Sequence, residues 1–380
     1  MAYKVQPGVI GCAIRQAPDD NAQRSLEEAI YDTVQAALAD AGIDIDDIDG
    51  IVVASNDQYD GRAISVMMAS GPVGGVDRDI LSTPSASEHA FVMGALRVAS
   101  GHYRTQLVVS WSPTEASSLP EVERLGADPY FHRILPLDQL SSHALQAAAL
   151  EAKTPGLDEL ATQIAARNRR HGEQAAPAAR PEPGAARWPL AAAMTSQPIA
   201  GVVAMVLASP EFVADRKIGK VAWLHGMGWA TETGFLGDRD LSTAPALESA
   251  ARQAYAAANI EEPAGAFDVI ELTDATPWSE LLAYEALGLC AREDWAGYVA
   301  SSEPGREGAT PLNPSGGVLT HNPVFCTGLI RIAEIANQIL GRAGNHQIAG
   351  ARRGLAHAAS GFAMQYQTAV VLGSEQGAAA

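Results

Sequence analysis

Cysteine, positive charge and long apolar runs are all scarce in this chain of 380 residues. The three cysteines, Cys12, Cys290 and Cys326, are widely spaced, which fits neither a disulfide framework nor a zinc site. The net charge of −18 argues against nucleic acid or an anionic membrane as a partner. No run of about 18 apolar residues occurs, and the first residues lack the apolar core of a secretory signal. These absences predict a cytoplasmic protein without a metal site.

A helix, an acidic turn and a strand follow one another in the same order in both halves of the chain. In the N-terminal half, a helix that begins with a capping box at Ser25 precedes a strand over residues 51–54. In the C-terminal half, an alanine-rich helix over residues 245–258 precedes a strand over residues 267–272. The two units lie roughly 220 residues apart, and this repetition predicts a duplicated α/β half.

The middle of the chain has a different composition. Residues 157–170 have helical spacing, whereas residues 173–189 are rich in alanine and proline. This part predicts an excursion over the surface. The apolar run 199–209 then predicts that the chain returns to a core.

One motif near the C-terminus connects this layout with a known family. Residues 313–317 read Asn-Pro-Ser-Gly-Gly, and residues 321–323 read His-Asn-Pro. Together they resemble the Asn-Pro-Ser-Gly-Gly and Gly-His-Pro signature of thiolases. The resemblance extends to residues 49–52 and 165–171. It is strongest with the sterol-carrier or lipid-transfer type, whose third catalytic stretch, Glu-x-His/Tyr-Asp, is similar to Glu-Leu-Thr-Asp at residues 271–274.

The resemblance implies the thiolase fold, an α/β fold in which two duplicated halves form a layered αβαβα core. The implied N-terminal half comprises residues 1–112 and 196–216, with a loop domain of residues 113–195 inserted in it. The implied C-terminal half comprises residues 217–380. Thiolases form dimers through a strand of the N-terminal core, which corresponds here to residues 106–110. A homodimer, or a heteromer with a second subunit, is therefore expected.

The position of the thiolase nucleophile carries no cysteine in this chain. The resemblance places that cysteine on Pro84 or, with a shift of one residue, on Ser85. Ser85 is a candidate nucleophile if a base lies close to its hydroxyl group. The alternative is that Ser85 or Ser87 caps the helix that follows.

The three other catalytic positions are also altered. The histidine of Gly-His-Pro is replaced by Asn322, which can donate a hydrogen bond to a thioester oxygen but cannot take a proton. His321, one residue earlier, is a further candidate. At the third position, Asp274 is either a base or orienting group, or a cap for the next helix. At the fourth position, His357 is the acid/base candidate, with a core histidine as the alternative.

The ligand implied by the resemblance is coenzyme A, as an acyl-CoA substrate. In the family, basic residues of the loop domain lie over the nucleotide, and guanidinium groups suit phosphate oxygens. The expected phosphate contacts are Arg167, Arg169, Arg170 and Arg187. The groups expected to hold the thioester are Ser315, Gly316, Gly317 and Asn322.

Three functions agree with a thiolase pocket that lacks the cysteine. In the first, the chain is an enzyme of aldolase type, which cleaves or forms a C–C bond in an acyl-CoA thioester. His357 or Asp274 is then the base, and a zinc-ribbon/OB-fold subunit is the expected partner. In the second, the chain is a catalytically silent subunit that pairs with an active thiolase. In the third, it is a thiolase or acyltransferase that uses Ser85 on a β-ketoacyl-CoA.

Overall fold

The computed structural model describes residues 4–16, 24–61, 63–112, 119–176, 182–302 and 310–377. The strands in these ranges form one nine-stranded sheet. They are β1 (Gly8–Arg15), β2 (Gly50–Ala54), β3 (Asp79–Thr83), β4 (Thr105–Ser112), β5 (Gly201–Ala208), β6 (Ala222–Thr231), β7 (Val269–Glu271), β8 (Arg353–Ser360) and β9 (Tyr366–Gly373).

The strand order, β3-β2-β4-β5-β1-β6-β9-β8-β7, shows the duplication directly. In the first half β2 runs parallel to β4, and β4, β5 and β1 are successively antiparallel. In the second half β7 runs parallel to β8, and β8, β9 and β6 repeat the antiparallel pattern. The halves meet where Gly8 and Val9 of β1 pair with Trp223 and Ala222 of β6. The predicted duplicated α/β fold is confirmed.

Helices lie on the outer face of each half of the sheet, and further helices lie between the two halves. The helices are α1 (Leu26–Ala41), α2 (Asp57–Asp60), α3 (Ser65–Ala69), α4 (Ser87–Ala99), α5 (Leu119–Gly126), α6 (Gln139–Lys153), α7 (Asp158–Ala175), α8 (Pro210–Arg216), α9 (Pro245–Ala258), α10 (Pro277–Ala286), α11 (Trp295–Ser301) and α12 (Thr327–Leu340). Helix α1 packs on β1 and β5, and α9 packs on β6 and β9. Helices α4 and α12 contact each other between the two halves of the sheet. These contacts produce the αβαβα layers.

Local signals explain the outer helices. Helix α1 begins with the capping box of Ser25 and Glu28, and it ends at Gly42, whose φ of 70° suits glycine. Its buried residues, among them Ile30, Val34 and Leu38, recur at helical spacing and face the sheet. Helices α5, α6 and α7 come between β4 and β5 in the chain, as expected of a loop domain inserted in the first half. The domain bounds remain a prediction.

The strand assigned to dimerisation lies inside the sheet. Residues 106–110 belong to β4, which is hydrogen-bonded to β2 on one side and to β5 on the other. Pairing of β4 with a second chain is therefore excluded, because both edges of the strand are already occupied. The strand at this end of the sheet is β3. None of the described helices combines the length and hydropathy needed to cross a bilayer.

Candidate active site

A cavity of about 1110 Å³ lies between the loop-domain helices and the ends of the core strands. Polar side chains line it from both sides. Those on the core side include Ser85, Thr273, Asn322, Ser360 and Tyr366. Those on the loop-domain side include Glu123, His132, Gln139, His143 and Arg187. The four segments identified from the thiolase resemblance therefore meet around one cavity.

Ser85 lies just before helix α4 and is exposed to the cavity. The N-cap of α4 is Ala86, and no side chain caps the helix. Ser87 instead accepts a hydrogen bond of 2.9 Å from the backbone N–H of Leu329, which ties α4 to α12. Neither serine caps the helix. Within the described residues, no base is hydrogen-bonded to the Ser85 hydroxyl.

The two residues of the His-Asn pair face different surroundings. Asn322 lines the cavity, and its backbone carbonyl accepts a 2.9 Å hydrogen bond from Ile199. The side chain of His321 turns away from the cavity, and its Nδ1 lies 3.1 Å from Thr320 Oγ1. Burial, with the positive charge of Arg331, lowers the pKa of His321 to about 4. Asn322 is thus the member of the pair that can touch a ligand.

Asp274 is fully buried behind the cavity wall. Its Oδ1 accepts a 2.6 Å hydrogen bond from the backbone N–H of Val318, and its Oδ2 accepts one of 2.7 Å from Asn168 Nδ2. Burial and the nearby carboxyl of Glu280 raise the pKa of Asp274 to about 8. The next helix, α10, is capped by Thr276 rather than by Asp274. Asp274 therefore holds in place the loop that contains Gly316, Gly317 and Val318.

His357 is fully buried in strand β8. Its Nε2 lies 2.7 Å from Gln367 Oε1 on the neighbouring strand. Burial lowers the pKa of His357 to about 4, so the imidazole is neutral at pH 7. The cavity lining near this strand comes instead from its end and from the loop that follows. Its surroundings are those of a core histidine, and its acid/base role remains a prediction.

We expect His357→Gln to make the protein less sensitive to acid. The pKa of His357 is about 4 in the folded state and 6.5 in the unfolded reference, so the unfolded chain binds more protons between these values. The free energy of unfolding should therefore fall by about 3 kcal/mol from this group as the pH drops from 7 to 4. Urea denaturation at both pH values measures this loss. An equal loss in wild type and variant would contradict the buried neutral imidazole.

The end of the β8–β9 hairpin packs against the start of α4. Ser360 Oγ donates a 2.7 Å hydrogen bond to Glu88 Oε1, and the ring of His89 contacts Tyr366 edge-on at 5.9 Å between centroids. Tyr366 pairs with Ser360 in the register of the hairpin and is 39% exposed. Sequence reasoning gave Tyr366 no role. Its place at the first position of the strand after the last catalytic loop is the signal that could have identified it.

The four arginines assigned to phosphate contacts lie in different environments. Arg167 is buried in an ion pair with Glu280. Arg169 donates to the backbone carbonyls of two loop-domain residues at 2.9 and 2.7 Å, and Arg170 is exposed on α7. Arg187 lines the cavity and donates a 2.7 Å hydrogen bond to Ser141 Oγ. Of the four, Arg187 is the one that the structure brings to the cavity.

The residues of the Asn-Pro-Ser-Gly-Gly motif are buried beneath the cavity. Ser315 Oγ donates a 2.8 Å hydrogen bond to Glu271 Oε2, and Glu271 also pairs with Arg331. Gly316 and Gly317 have φ angles of 92° and 66°, in the region that favours glycine. The motif shapes the loop, and Val318, just after it, reaches the cavity.

No cysteine lies among the described residues that line the cavity. Cys326 is fully buried, its Sγ donates to the carbonyl of Gly201 at 3.6 Å, and burial raises its pKa. Burial also raises the pKa of Cys290 to about 12, and that of Cys12 further still. These thiols do not favour the thiolate that a nucleophile needs. In the described part of the chain, no cluster of three or more His, Cys, Asp and Glu side chains could hold a metal ion.

Comparison with known sequences finds thiolases and sterol carrier proteins. Residues 228–374 match the family model described as thiolase C-terminal domain-like. Sterol carrier protein 2 from Homo sapiens is 43% identical over 91 residues, which are 24% of this chain and 17% of that protein. Acetyl-CoA acetyltransferase from Methanothermobacter thermautotrophicus is 30% identical over 162 residues, 42% of each chain. The chain thus spans less than half the length of these relatives.

Comparison with solved structures extends the similarity to the whole fold. The structure of the Ltp2-ChsH2(DUF35) aldolase has a TM-score of 0.77 at 18% identity and covers 99% of this chain and 100% of its own. A monomeric SCP2-thiolase like protein type 1 from Mycobacterium smegmatis has a TM-score of 0.70 at 17% identity. It covers 98% of this chain and 78% of its own. At these identities the structures show a shared fold.

Proposed function

Because this chain belongs to the thiolase superfamily, as a protein similar to sterol carrier protein 2, we propose that it binds an acyl-CoA thioester in the cavity. The proposed reaction cleaves or forms a C–C bond in the acyl group without a cysteine nucleophile. One observation carries the proposal: the cavity at the start of α4 exposes Ser85, Asn322 and Tyr366 and contains no cysteine among the described residues. A retro-aldol reaction needs proton transfer and stabilisation of an enolate, and both can be supplied by such groups.

In the proposed cleavage, a base takes the proton of a β-hydroxyl group and the Cα–Cβ bond breaks. The products are an aldehyde or ketone and the enolate of the shortened thioester, which is then protonated at Cα. The Asn322 amide donates a hydrogen bond to the thioester oxygen. The Tyr366 side chain is the proton-transfer group, in the role first given to His357 or Asp274: its phenolate takes the β-hydroxyl proton, and the phenol so formed returns that proton to Cα. It is favoured because it lines the cavity, whereas both of those residues are buried behind the wall.

The proposed ligand and partners follow the family. The coenzyme A part lies near Arg187, which is the candidate for a phosphate contact. The aldolase of similar fold carries the names of two proteins, Ltp2 and ChsH2. By analogy, a zinc-ribbon/OB-fold subunit is the proposed partner of this chain. A homodimer of this chain is also part of the proposal.

Two alternatives each have a supporting observation. A catalytically silent subunit agrees with the lack of a cysteine in the described cavity lining. An acyltransferase that uses Ser85 agrees with the exposure of this serine in the cavity. The absence of a hydrogen-bonded base beside Ser85 among the described residues weighs against the acyltransferase.

We expect Tyr366→Phe to lower kcat/KM for cleavage of a β-hydroxyacyl-CoA by about 10²–10⁴-fold, because it removes the proton-transfer group and keeps the ring. The exposed Tyr31 on α1 offers a matched control, and Tyr31→Phe should leave kcat/KM unchanged. The assay follows release of the carbonyl product, with the proposed partner subunit present if it copurifies.

Intact-protein mass after incubation with β-ketoacyl-CoA thioesters separates the alternatives. An acyl adduct that disappears in Ser85→Ala would establish a serine acyltransferase and overturn the aldolase proposal. Binding of the thioesters without turnover, alone or with a copurified thiolase, would instead identify a silent subunit. Cleavage without an adduct, lost in Tyr366→Phe, is the result we expect.

A further inference from the structure

The loop-domain wall of the cavity combines an apolar patch with several polar side chains, one of them the carboxyl group of Glu123. The apolar patch is formed by Leu119, Val122, Phe131 and Leu140 of the loop domain, and Phe235 and Phe362 of the C-terminal half adjoin it. Such an apolar patch suits an acyl chain. Glu123 of α5 also lies in this wall. Burying a carboxyl group is costly unless it has a hydrogen-bond partner, so the contacts of Glu123 bear on what the wall binds.

Local structure holds the Glu123 carboxyl in place. Its Oε2 accepts a 2.9 Å hydrogen bond from the backbone N–H of Gln139, the first residue of α6. Within the described residues, Oε1 makes no hydrogen bond and no cation pairs with the carboxyl. Burial, with the negative charge of Asp138, raises the pKa of Glu123 to about 7. Glu123 therefore presents one oxygen, Oε1, to the cavity as a hydrogen-bond acceptor in a fixed position.

His143 provides a second polar group on the same wall. It lies four residues after Gln139, so both side chains face the same side of α6, and both line the cavity. Burial lowers the pKa of His143 to about 4, so its ring is neutral at pH 7 and can donate or accept one hydrogen bond. The Glu123 carboxyl is bonded to Gln139, and His143 lies one turn of α6 after Gln139, so the two groups match a hydroxyl group, which can donate to one and accept from the other. They do not match an anion.

We propose that Glu123 and His143 form a subsite that binds a hydroxyl group of the acyl chain beyond its β-carbon. The subsite rests on the proposed function, because it presupposes an acyl-CoA in the cavity. The reacting β-hydroxyl belongs to the core side, with Asn322 and Tyr366. The loop-domain wall then selects thioesters whose acyl group carries a further hydroxyl.

Dissociation constants for hexanoyl-CoA and its δ-hydroxy and ω-hydroxy derivatives test the subsite. None of the three carries a β-hydroxyl group, so the proposed cleavage cannot occur during the binding measurement. Wild type should bind at least one hydroxylated thioester about tenfold more tightly than hexanoyl-CoA, as expected of a hydrogen bond to a carboxylate. Glu123→Leu should reduce this preference to less than about twofold, and Glu123→Gln to about threefold. The control Glu121→Gln, at an exposed position of α5, should keep it.

The outcomes separate the subsite from the proposed function. Equal binding of all three thioesters by wild type, or a preference that survives in both Glu123 variants, overturns the subsite and leaves the proposed function standing. Failure of every thioester to bind overturns the proposed function, and the subsite with it. If Glu123→Leu does not fold, the comparison of Glu123→Gln with Glu121→Gln decides.

Discussion

Replacing Arg167 with methionine is expected to lower the free energy of unfolding by about 3–5 kcal/mol, because it leaves a buried carboxylate without its cation. Arg167 is 2% exposed and forms an ion pair with Glu280, which is fully buried. Its Nη1 also donates a 2.9 Å hydrogen bond to Ser302 Oγ, and its Nε donates one of 3.0 Å to Asn168 Oδ1. Urea denaturation of the full chain measures the loss.

A double variant tests the cause of this loss. In Arg167→Met/Glu280→Gln the stranded charge is removed, so at least half of the lost stability should return. Arg124→Met, at an exposed position of α5, should cost less than about 0.5 kcal/mol. A contact between Arg167 and a coenzyme A phosphate predicts the reverse: unchanged stability and weaker binding of coenzyme A. That result would contradict the structural role argued for this residue.

The duplicated fold could be predicted because its signals are local. The capping box of Ser25 and Glu28 and the helix end at Gly42 depend on residues close in sequence, and the structure shows both features. The pairing order β2-β4-β5-β1 of the first half is then repeated as β7-β8-β9-β6 in the second half. The position of residues 106–110 in the interior of the sheet was missed, because the strands on either side of a given strand depend on distant parts of the chain.

The site was predicted only in part, because burial of a side chain depends on contacts between distant residues. Ser85 and Asn322 line the cavity as their motifs indicated. Arg167, however, belongs to a basic cluster in the sequence, and its partner Glu280 lies on a different element. Glu123 has no motif around it, since its importance comes from the packing of α5 against the first residue of α6.

Gly316→Ala is expected to cost about 3 kcal/mol of unfolding free energy or more, because the glycine loop touches the backbone of α7. A Cβ atom at this position would lie 2.4 Å from Gly172 Cα and 2.5 Å from Gly172 N. These are backbone atoms of α7, which cannot rotate away as a side chain can. The φ of 92° adds a conformational cost for alanine of about 1 kcal/mol.

Gly344 supplies the matched control, because it also has a positive φ, of 60°, but a Cβ there would meet no atom within 4 Å. Gly344→Ala should therefore cost only the conformational term, about 1 kcal/mol. The excess in Gly316→Ala, about 2 kcal/mol, then measures the close packing of the loop on α7. Because Val318 of the same loop lines the cavity, Gly316→Ala should also weaken acyl-CoA binding, whereas Gly344→Ala should not. Equal costs for the two variants would mean that α7 does not hold this loop in place.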